Sequence, residues 1–447
     1  MTNSESMPPA TEEIAPTVLS RPQHRLSRGD VSAHALKVLY RLNRSGYLAF
    51  LVGGSVRDLL LGRRPKDFDI ATNARPQEIR RLFRNSRIIG RRFRLAHVFF
   101  RDAIVEVATF RANPEAPESP NDWEEAEAEN AEEETATELL PPRREEAVYG
   151  TPAEDARRRD FTVNALFYNI ADYSVIDYVG GIEDLERGLI RTIGDPDQRF
   201  AEDPVRMMRA LEYAVRLGFR VDQPTSEAVE RQHALIAEAS TSRLTYELLE
   251  CLRSGHAAGI HAAWRRAGLF SLAFPDLPLD TDESVRLLEV VDEKIAAGAA
   301  LSDASLLGSF FLPPFFTLLA EEMAGDGRVN NARLLARLRT ILEPAGASMH
   351  LSNLTLHLLH QGLFTLTKMQ QPPERGRQVI KLSHQDYFPV AWDLHGFAVR
   401  LGLIPPESRL GWRKALSRLS SGEAPVDEDR PPRRRSRPRR RRSRRKA

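Results

Sequence analysis

The chain has 447 residues, of which 42% are hydrophobic and 28% charged, enough for two or three folded domains with apolar cores. Its single cysteine, Cys251, excludes an internal disulfide and argues against a cysteine-rich metal site. No apolar run is long enough to span a membrane and the N-terminus lacks a signal peptide, so we expect a cytoplasmic protein without membrane partners.

The formal net charge of +2 hides two oppositely charged segments. Residues 430–447 carry twelve Lys and Arg and no acid, whereas residues 113–146 carry thirteen Asp and Glu against two Arg. The rest of the chain is nearly neutral. This pattern predicts an acidic loop insert over residues 113–147 and a disordered basic tail over residues 421–447.

The N-terminal third has the pattern of a small mixed sheet with helices on it. Residues 1–30 lack apolar periodicity and are predicted to be disordered. Ala33 to Asn43 follows as an amphipathic helix. Further elements are strands over Phe50 to Val52, Arg87 to Gly90, Leu95 to Phe100 and Ile104 to Thr109, with a helix over Pro76 to Arg84.

A glycine pair ends the first of these strands. Gly53 and Gly54 follow Val52, and Ser55 is predicted to cap a helix that runs to Leu61. Glycines between a strand and a helix allow backbone N–H groups to approach a phosphate, and the helix start adds positive potential. A lone glycine pair is more often an ordinary turn, so this one gains weight only from the residues after it.

Two carboxylates come after this turn in Lys66-Asp67-Phe68-Asp69-Ile70. If Asp67 to Ala71 is a strand, alternation places Asp67 and Asp69 on one face. Two like charges held so close require a cation, and Mg²⁺ binds one or two carboxylates together with substrate phosphates. A lone Asp-x-Asp is usually a solvated loop. Beside a phosphate-binding turn, it indicates metal-assisted nucleotidyl transfer.

The combination resembles the nucleotidyltransferase motif shared by bacterial poly(A) polymerases and CCA-adding tRNA nucleotidyltransferases, and the resemblance covers residues 45–255. It implies an α+β fold in which a nucleotidyltransferase head, a small mixed β-sheet with helices, precedes an all-α part. The predicted boundaries are a head over 31–195, a helical neck over 196–256 that binds nucleotide base and RNA, and a helical RNA-binding body over 257–420.

A second family signature is Arg158-Arg-Asp160-Phe-Thr-Val-Asn-Ala165, preceded by Arg157. Three arginines beside one acid at a predicted helix start suit a triphosphate and its metal, although a solvated charge run is the alternative. The resemblance implies that Asp160 joins Asp67 and Asp69 as a catalytic acid and that Arg159 contacts the nucleotide. Glu106 is a further metal candidate, with an acid that simply faces solvent as the alternative.

The sequence Glu202-Asp203-Pro204-Val-Arg206 matches the base-selecting motif of the family. Asp203 is predicted to cap a helix and Pro204 to occupy its first position, with an apolar stripe that ends at Gly218. Asp203 and Arg206 lie on one side of this helix and can read the donor–acceptor edge that adenine and cytosine share. The alternative is a capping acid with a local salt bridge.

A capped helix from Thr241 to Gly255 contains a further acid–base pair. Arg243 and Glu247 either pair with each other at i,i+4 or brace the preceding helices. We expect their role to be structural.

Two sets of candidate residues result. The nucleotide-binding candidates are Gly53, Gly54, Ser55, Arg57, Arg159, Asp203, Arg206 and Arg209. The RNA-binding candidates are Arg91, Arg92 and Arg94, in a basic loop that looks like the poly(A) polymerase version of this region, and Arg433, Arg434, Arg435, Arg439, Arg440, Arg441 and Arg442 in the tail, whose charge suits phosphate backbones.

The resemblance implies a template-independent poly(A) polymerase that uses ATP and two Mg²⁺ ions to extend RNA 3′ ends. The implied substrates are mRNA, small RNA and tRNA precursors, in mRNA processing and decay. The alternatives are a CCA-adding tRNA nucleotidyltransferase and a non-catalytic RNA-binding protein of the same fold. Loss of Asp67 or Asp69 would mark the latter, and both are present.

Overall fold

The computed structural model describes residues 15–90, 95–112, 149–278, 282–324, 329–373 and 376–421. The predicted acidic insert at 113–147, the basic tail from residue 422 on and the first fourteen residues lie outside this range. The chain divides into two compact units, one up to Asp292 with Ser348–His350, the other Glu293–Ala347 with the residues from Leu351 on. The predicted boundaries at 195 and 256 stay predictions.

Eight strands of the first unit form one mixed sheet: β1 (Thr17–Leu19), β2 (Ala49–Val52), β3 (Asp69–Thr72), β4 (Ser86–Ile89), β5 (Leu95–Phe99), β6 (Ile104–Thr109), β7 (Leu166–Asn169) and β8 (Val175–Asp177). Their order is β1-β8-β7-β2-β3-β6-β5-β4. β3 and β6 run parallel, and every other neighbouring pair is antiparallel. The small mixed sheet predicted for the head is confirmed.

The prediction of disorder through residue 30 is wrong for residues 15–30. β1 pairs with the outer edge of β8, so that Val18 lies opposite Ile176. Leu26 is buried in the core with 1% of its surface exposed, and Val31 follows it there. A three-residue strand and one buried leucine are too short to produce a periodic pattern, so they leave no signal in the sequence.

Both faces of the sheet are covered by apolar side chains. Along β2, Ala49 and Leu51 pack into one core and Phe50 and Val52 into the other, the alternation expected of a strand buried on both sides. The first helices of this unit are α1 (Ala33–Arg44), α2 (Gly54–Leu60), α3 (Pro76–Leu82), α4 (Pro152–Arg157), α5 (Gly181–Arg187) and α6 (Pro196–Glu202).

The next helices are α7 (Val205–Leu217), α8 (Gln223–Gln232) and α9 (Thr241–Arg253), which with α6 fall in the predicted neck, and α10 (Ala257–Arg266) and α11 (Leu269–Ala273), which fall at the start of the predicted body. The predicted stripe of α7 packs inward, with Met207 and Ala210 fully buried, and Gly218 ends the helix with φ of 71°. Beside α7, the short parallel strands β9 (Leu189–Ile190) and β10 (Arg220–Val221) pair.

The remaining described helices are α12 (Asp282–Ala296), α13 (Asp303–Phe310), α14 (Leu312–Met323), α15 (Asn331–Ser348), α16 (Asn353–Thr365), α17 (Gly376–Ser383), α18 (Phe388–Arg400) and α19 (Pro406–Ser420). This confirms the predicted all-helical region after the neck. Among the described residues, no single helix has the length and apolar character needed to cross a membrane, although α13 and α14, bent by 59° at their junction, meet that criterion as a pair.

Candidate active site

The turn after β2 brings a glycine next to an arginine from a distant segment. Gly53 has φ of 71°, in the left-handed region that favours glycine. A Cβ added to Gly53 would lie 3.2 Å from Nη1 of Arg159. Because glycine has no side chain, this guanidinium can approach the turn at which we predict phosphates to bind.

Ser55 does not cap α2, contrary to the prediction. Gly53 holds the N-cap position, and Ser55 lies within the first turn, where its hydroxyl donates to the carbonyl of Val52 at 2.8 Å. The left-handed Gly53 turns the chain into the helix earlier than a serine cap would. Gly54 and Ser55 both line the cleft that contains the predicted metal ligands.

Asp67 and Asp69 line one cleft, but strand alternation is not the reason. β3 begins at Asp69, so Asp67 precedes the strand and the predicted start of this strand is wrong. The pairing of Asp69 with Val52 holds the beginning of β3 beside the glycine turn. Both carboxylates and the turn therefore surround the same cleft, which has a volume of about 270 Å³.

Six carboxylates line this cleft, and four of them are neutralised by basic side chains. The pairs are Arg57 with Asp58 at 2.8 Å, Lys66 with Glu250 at 2.7 Å, Arg209 with Glu247 at 2.9 Å and Arg216 with Glu212 at 2.7 Å. Asp67 and Asp69 have no ion-pair partner among the residues that the structure describes. The uncompensated negative charge of the cleft is thus concentrated on the two predicted metal ligands.

The environment of Asp69 favours a cation. The surrounding protein removes hydration from its carboxylate and Glu106 adds negative charge nearby, which raises the pKa of Asp69 to about 6. Asp67 raises this pKa further, and Arg159 opposes the shift. Among the described residues, no group of three or more His, Cys, Asp or Glu is placed to hold a metal. Asp67 and Asp69 supply two carboxylates, which is the number that Mg²⁺ commonly takes from a protein when phosphate and water oxygens are its other ligands.

Glu106 lies beside the predicted metal ligands without lining the cleft. Parallel pairing of Ile70 with Val107 places Glu106 on the strand next to Asp69. Its carboxylate lies 3.4 Å from Nε2 of His97 and is half exposed, and His97 lowers the pKa of Glu106. The negative charge of Glu106 acts on Asp69 through space, and a role as a direct metal ligand stays a prediction.

The arginine cluster lies at the end of a helix, and the prediction of a helix start there is wrong. α4 ends at Arg157, and Arg158 and Arg159 follow it, both bound to Asp155 at 2.8 and 3.0 Å. Asp155 is buried, and the two guanidiniums lower its pKa although burial opposes them. Asp155 therefore fixes the guanidinium of Arg159, whose Nη1 lies next to Gly53.

Asp160 is held by protein groups on both carboxylate oxygens. Oδ1 accepts from the amide of Phe161 at 2.7 Å and from Asn164 at 3.1 Å, and Oδ2 accepts from Arg209 at 2.9 and 3.0 Å. Burial alone would raise the pKa of Asp160, but Arg209 and these hydrogen bonds lower it. Asp160 does not line the cleft with Asp67 and Asp69, and this arrangement favours a positioning role.

Arg209 joins three segments of the first unit. Besides its contacts with Asp160, its Nη1 donates to Glu247 on α9 at 2.9 Å and its Nη2 donates to the Tyr213 hydroxyl at 2.8 Å. Most of its donors are therefore engaged, although the residue also lines the cleft. Its predicted contact with the nucleotide stays a prediction. Its hydrogen bonds connect α7 to the segment that contains Asp160 and to α9.

Sequence reasoning missed two residues of this network. Asn164 accepts a hydrogen bond from Arg57 and donates one to Asp160. It therefore connects α2, the helix after the glycine turn, to the ion pair of Asp160 with Arg209. Tyr213 has the guanidinium carbons of Arg57, Arg209 and Arg216 at 5.1, 5.2 and 5.9 Å from its ring centre. Asn164 lies four residues after Asp160 within the family signature, which was an available signal. No comparable signal in the sequence pointed to Tyr213, apart from its position on α7.

Asp203 and Arg206 lie together at the start of α7, as their spacing predicts, with Arg206 Nε 3.7 Å from Asp203. The helix begins at Val205, one residue later than predicted, and the Val205 amide donates to Asp203 at 3.2 Å. Arg243 on α9 binds Asp203 at 2.9 Å, and Glu202 binds Arg206 at 3.1 Å. Arg243 thus braces the preceding helix, one of its two predicted roles.

The predicted RNA-binding residues lie outside the described part of the chain. This applies to Arg91, Arg92 and Arg94 and to the tail arginines from Arg433 to Arg442. Their roles stay predictions.

The chain resembles known proteins in both sequence and fold. Two family profiles match it, the Poly A polymerase head domain over residues 49–191 and a probable RNA- and SrmB-binding site of polymerase A over residues 218–279. Poly(A) polymerase I of Salmonella typhi is 38% identical over 85% of this chain and 80% of its own length. A CCA-adding enzyme of Bacillus velezensis is 37% identical over 49% of the chain and 50% of its own length. The crystal structure of the Bacillus stearothermophilus CCA-adding enzyme in complex with CTP has a TM-score of 0.57 at 25% identity, covering 86% of this chain and 82% of its own.

Proposed function

The chain belongs to the poly(A) polymerase family of nucleotidyltransferases, and from this premise we propose that it adds AMP from ATP to RNA 3′ ends without a template. The observation that carries the proposal is the charge pattern of the cleft. Its basic residues pair with four carboxylates and leave Asp67 and Asp69, next to the glycine turn, for a divalent cation. The substrates we propose are mRNA, small RNA and tRNA precursors.

Each group of residues has a separate task in this reaction. Asp67 and Asp69 would hold two Mg²⁺ ions, which supply the charge stabilisation that the transferring phosphate and the departing pyrophosphate need. The glycine turn offers backbone donors, and Arg159 adds a guanidinium at Gly53. The ion pair between Asp160 and Arg209 joins the segment before β7 to α7, the helix that carries Arg206.

We propose that Asp203 and Arg206 read the adenine edge. Arg206→Ala is expected to raise the KM for ATP and to weaken discrimination against GTP and UTP by roughly 10-fold or more, since one charged hydrogen-bond partner of the base is lost. Incorporation kinetics with each of the four nucleotides measure this. Unchanged nucleotide preference in this variant would mean that Arg206 only neutralises Glu202 and Asp203.

Adenine and cytosine present the same donor–acceptor edge, so these residues do not separate poly(A) addition from CCA addition. The extent of similarity favours the former, because the poly(A) polymerase relative matches 85% of the chain and the CCA-adding relative 49%.

The proposal is tested by incorporation of ATP against CTP on a generic RNA and on tRNA that lacks its terminus. Repeated AMP addition to generic RNA supports it. CTP incorporation confined to tRNA would establish the alternative.

A non-catalytic RNA-binding protein of this fold is the second alternative. The intact pair Asp67 and Asp69, left without ion-pair partners in the described residues, argues against it. The same assay decides, because such a protein would bind RNA and incorporate neither nucleotide.

A further inference from the structure

A groove lined by basic side chains runs along α1 of the first unit. Lys37, Arg41 and Arg44 are exposed and follow one another at the spacing of one helix face. Together with Tyr40 they line a groove of about 490 Å³, which shares no residue with the cleft of the candidate active site. The segment 21–44, which includes α1, holds six Lys and Arg against one acid. We call this surface the basic groove.

The charge of the basic groove is not neutralised within the described part of the chain. No residue there forms an ion pair with Lys37, Arg41 or Arg44. Two of the guanidiniums lie near aromatic rings instead, Arg41 at 5.1 Å from the ring centre of Phe83 and Arg44 at 5.8 Å from that of Tyr40. Such contacts hold a side chain in place without removing its charge. The cleft of the candidate active site differs, because four of its basic side chains are paired with carboxylates. The positive charge of the basic groove is thus available to an external anion.

A fourth cation, Arg28, is held beside the basic groove by two tyrosines. Its Nη1 donates to the hydroxyl of Tyr40 at 2.9 Å and to that of Tyr173 at 3.1 Å. Its guanidinium carbon lies 4.5 Å from the ring centre of Tyr173, a residue whose φ of 65° is uncommon outside glycine. Among the described residues, none accepts a hydrogen bond from Nε or Nη2 of Arg28, the edge whose parallel N–H groups match a phosphate. Arg28 is exposed, so this edge can receive a phosphate without a change in the tyrosine contacts.

The proposed reaction supplies an anion that suits this surface. The cleft of the candidate active site has a volume of about 270 Å³, which is small compared with an RNA strand. The nucleotides before the 3′ end must therefore lie on the surface of the protein. A row of cations without carboxylates matches a chain of phosphates, and contacts with phosphates read no sequence. The basic groove thus fits the backbone of an RNA substrate of any sequence.

We propose that the basic groove, together with Arg28, binds the phosphate backbone of the RNA nucleotides that precede the 3′ end. This inference rests on the proposed function and adds to it a second contact for the RNA, on α1 instead of in the cleft. Because the groove shares no residue with the cleft, it acts on the binding of RNA and not on the chemical step. It retains the substrate on the protein while the 3′ end is extended.

The test removes two exposed charges of the basic groove from the full-length protein. Lys37→Gln with Arg44→Gln should weaken the binding of a single-stranded RNA of about 30 nucleotides by roughly 10-fold near about 0.1 M salt, because two phosphate contacts are lost. The slope of log affinity against log salt should become flatter by about 1.4 for the same reason. Glutamine is a good helix former, so α1 should stay folded. The exchange Lys37→Arg with Arg44→Lys keeps both charges and should restore most of the affinity. Arg187→Gln removes an exposed arginine that is paired with Glu183, and this control for net charge should change the affinity little.

Fluorescence anisotropy of labelled RNA without ATP keeps the inference separate from the proposed activity. On an RNA whose linkages upstream of the last few nucleotides are neutral methylphosphonates, the glutamine double variant and the unaltered protein should bind equally. With ATP and unmodified RNA, the loss should appear in the KM for RNA and not in the KM for ATP.

The two proposals can fail independently. If the protein adds no AMP, the proposed function fails and the anisotropy still decides whether the groove binds RNA. Equal affinity of the double variant and the unaltered protein for unmodified RNA would overturn the inference and leave the groove to another anion, such as the acidic segment 113–146 of the chain. A difference between them that persists on the neutral RNA would also overturn it.

Discussion

Asp69→Asn is expected to lower AMP incorporation by at least about 100-fold, because it removes half of the charge that holds the divalent ions. The four other cleft carboxylates besides Asp67 cannot replace it, since each is already bound to a basic side chain. Asp67→Asn should have a similar effect for the same reason. Single-turnover incorporation of AMP into a short RNA, with excess protein, measures the loss at the chemical step.

The stability of Asp69→Asn should not fall with its activity. Loss of hydration and the charge of Glu106 raise the pKa of Asp69, so its ionised form is unfavourable in the folded protein without metal. Removing the charge should leave the unfolding temperature equal or higher in a metal-free buffer. The control is Glu183→Gln, which removes an exposed carboxylate of α5 and should keep full activity. Near-normal turnover by Asp69→Asn would contradict the metal assignment.

Arg209→Ala should destabilise the first unit by about 3–5 kcal/mol, because it leaves two poorly exposed carboxylates without a cation. Asp160 and Glu247 are 14% and 5% exposed, and each lies 2.9 Å from the guanidinium. Hydrogen exchange of peptides that cover α7 and α9 reports this loss separately from the second unit. Arg209→Lys keeps the charge without the forked geometry, so its stability should lie between that of the unaltered protein and that of Arg209→Ala.

The matched control for this variant is Arg187→Ala. Arg187 pairs with Glu183 on the surface of α5, with both side chains about 60% exposed, and its loss should change stability by no more than about 0.5 kcal/mol. A different outcome for Arg209→Ala is also informative. Unchanged exchange together with a raised KM for ATP would identify Arg209 as a nucleotide ligand instead of a structural link between α7 and α9.

The sequence was sufficient to identify the chemistry but not its surroundings. The glycine turn and the pair Asp67 and Asp69 could be found because they are local, closely spaced and chemically specific. The four ion pairs that neutralise the rest of the cleft could not, since Lys66 and Glu250 lie 184 residues apart and no spacing rule connects them. Only the folded structure shows that, among the six carboxylates of the cleft, Asp67 and Asp69 are the two without an ion-pair partner in the described residues.

Local spacing also left ambiguities that tertiary contacts resolve. Arg243 and Glu247 have the separation of a helical ion pair, yet Arg243 binds Asp203 and Glu247 binds Arg209. Serine is a residue type that often caps helices, but at this helix Gly53, with its positive φ, holds the N-cap position instead of Ser55. In each case a partner or a backbone angle that sequence does not encode locally decided between two acceptable local arrangements.

Strand β1 has a practical consequence for anyone who shortens this protein. A version that starts at residue 31, where sequence alone places the beginning of the folded part, would lack the strand paired with Val175–Asp177 and the core side chain of Leu26. The backbone of β8 would then become an unpaired edge strand, and exposed edge strands promote aggregation by pairing with strands of other molecules. Soluble preparations for structural work should therefore begin before Thr17, and an affinity tag belongs ahead of that residue.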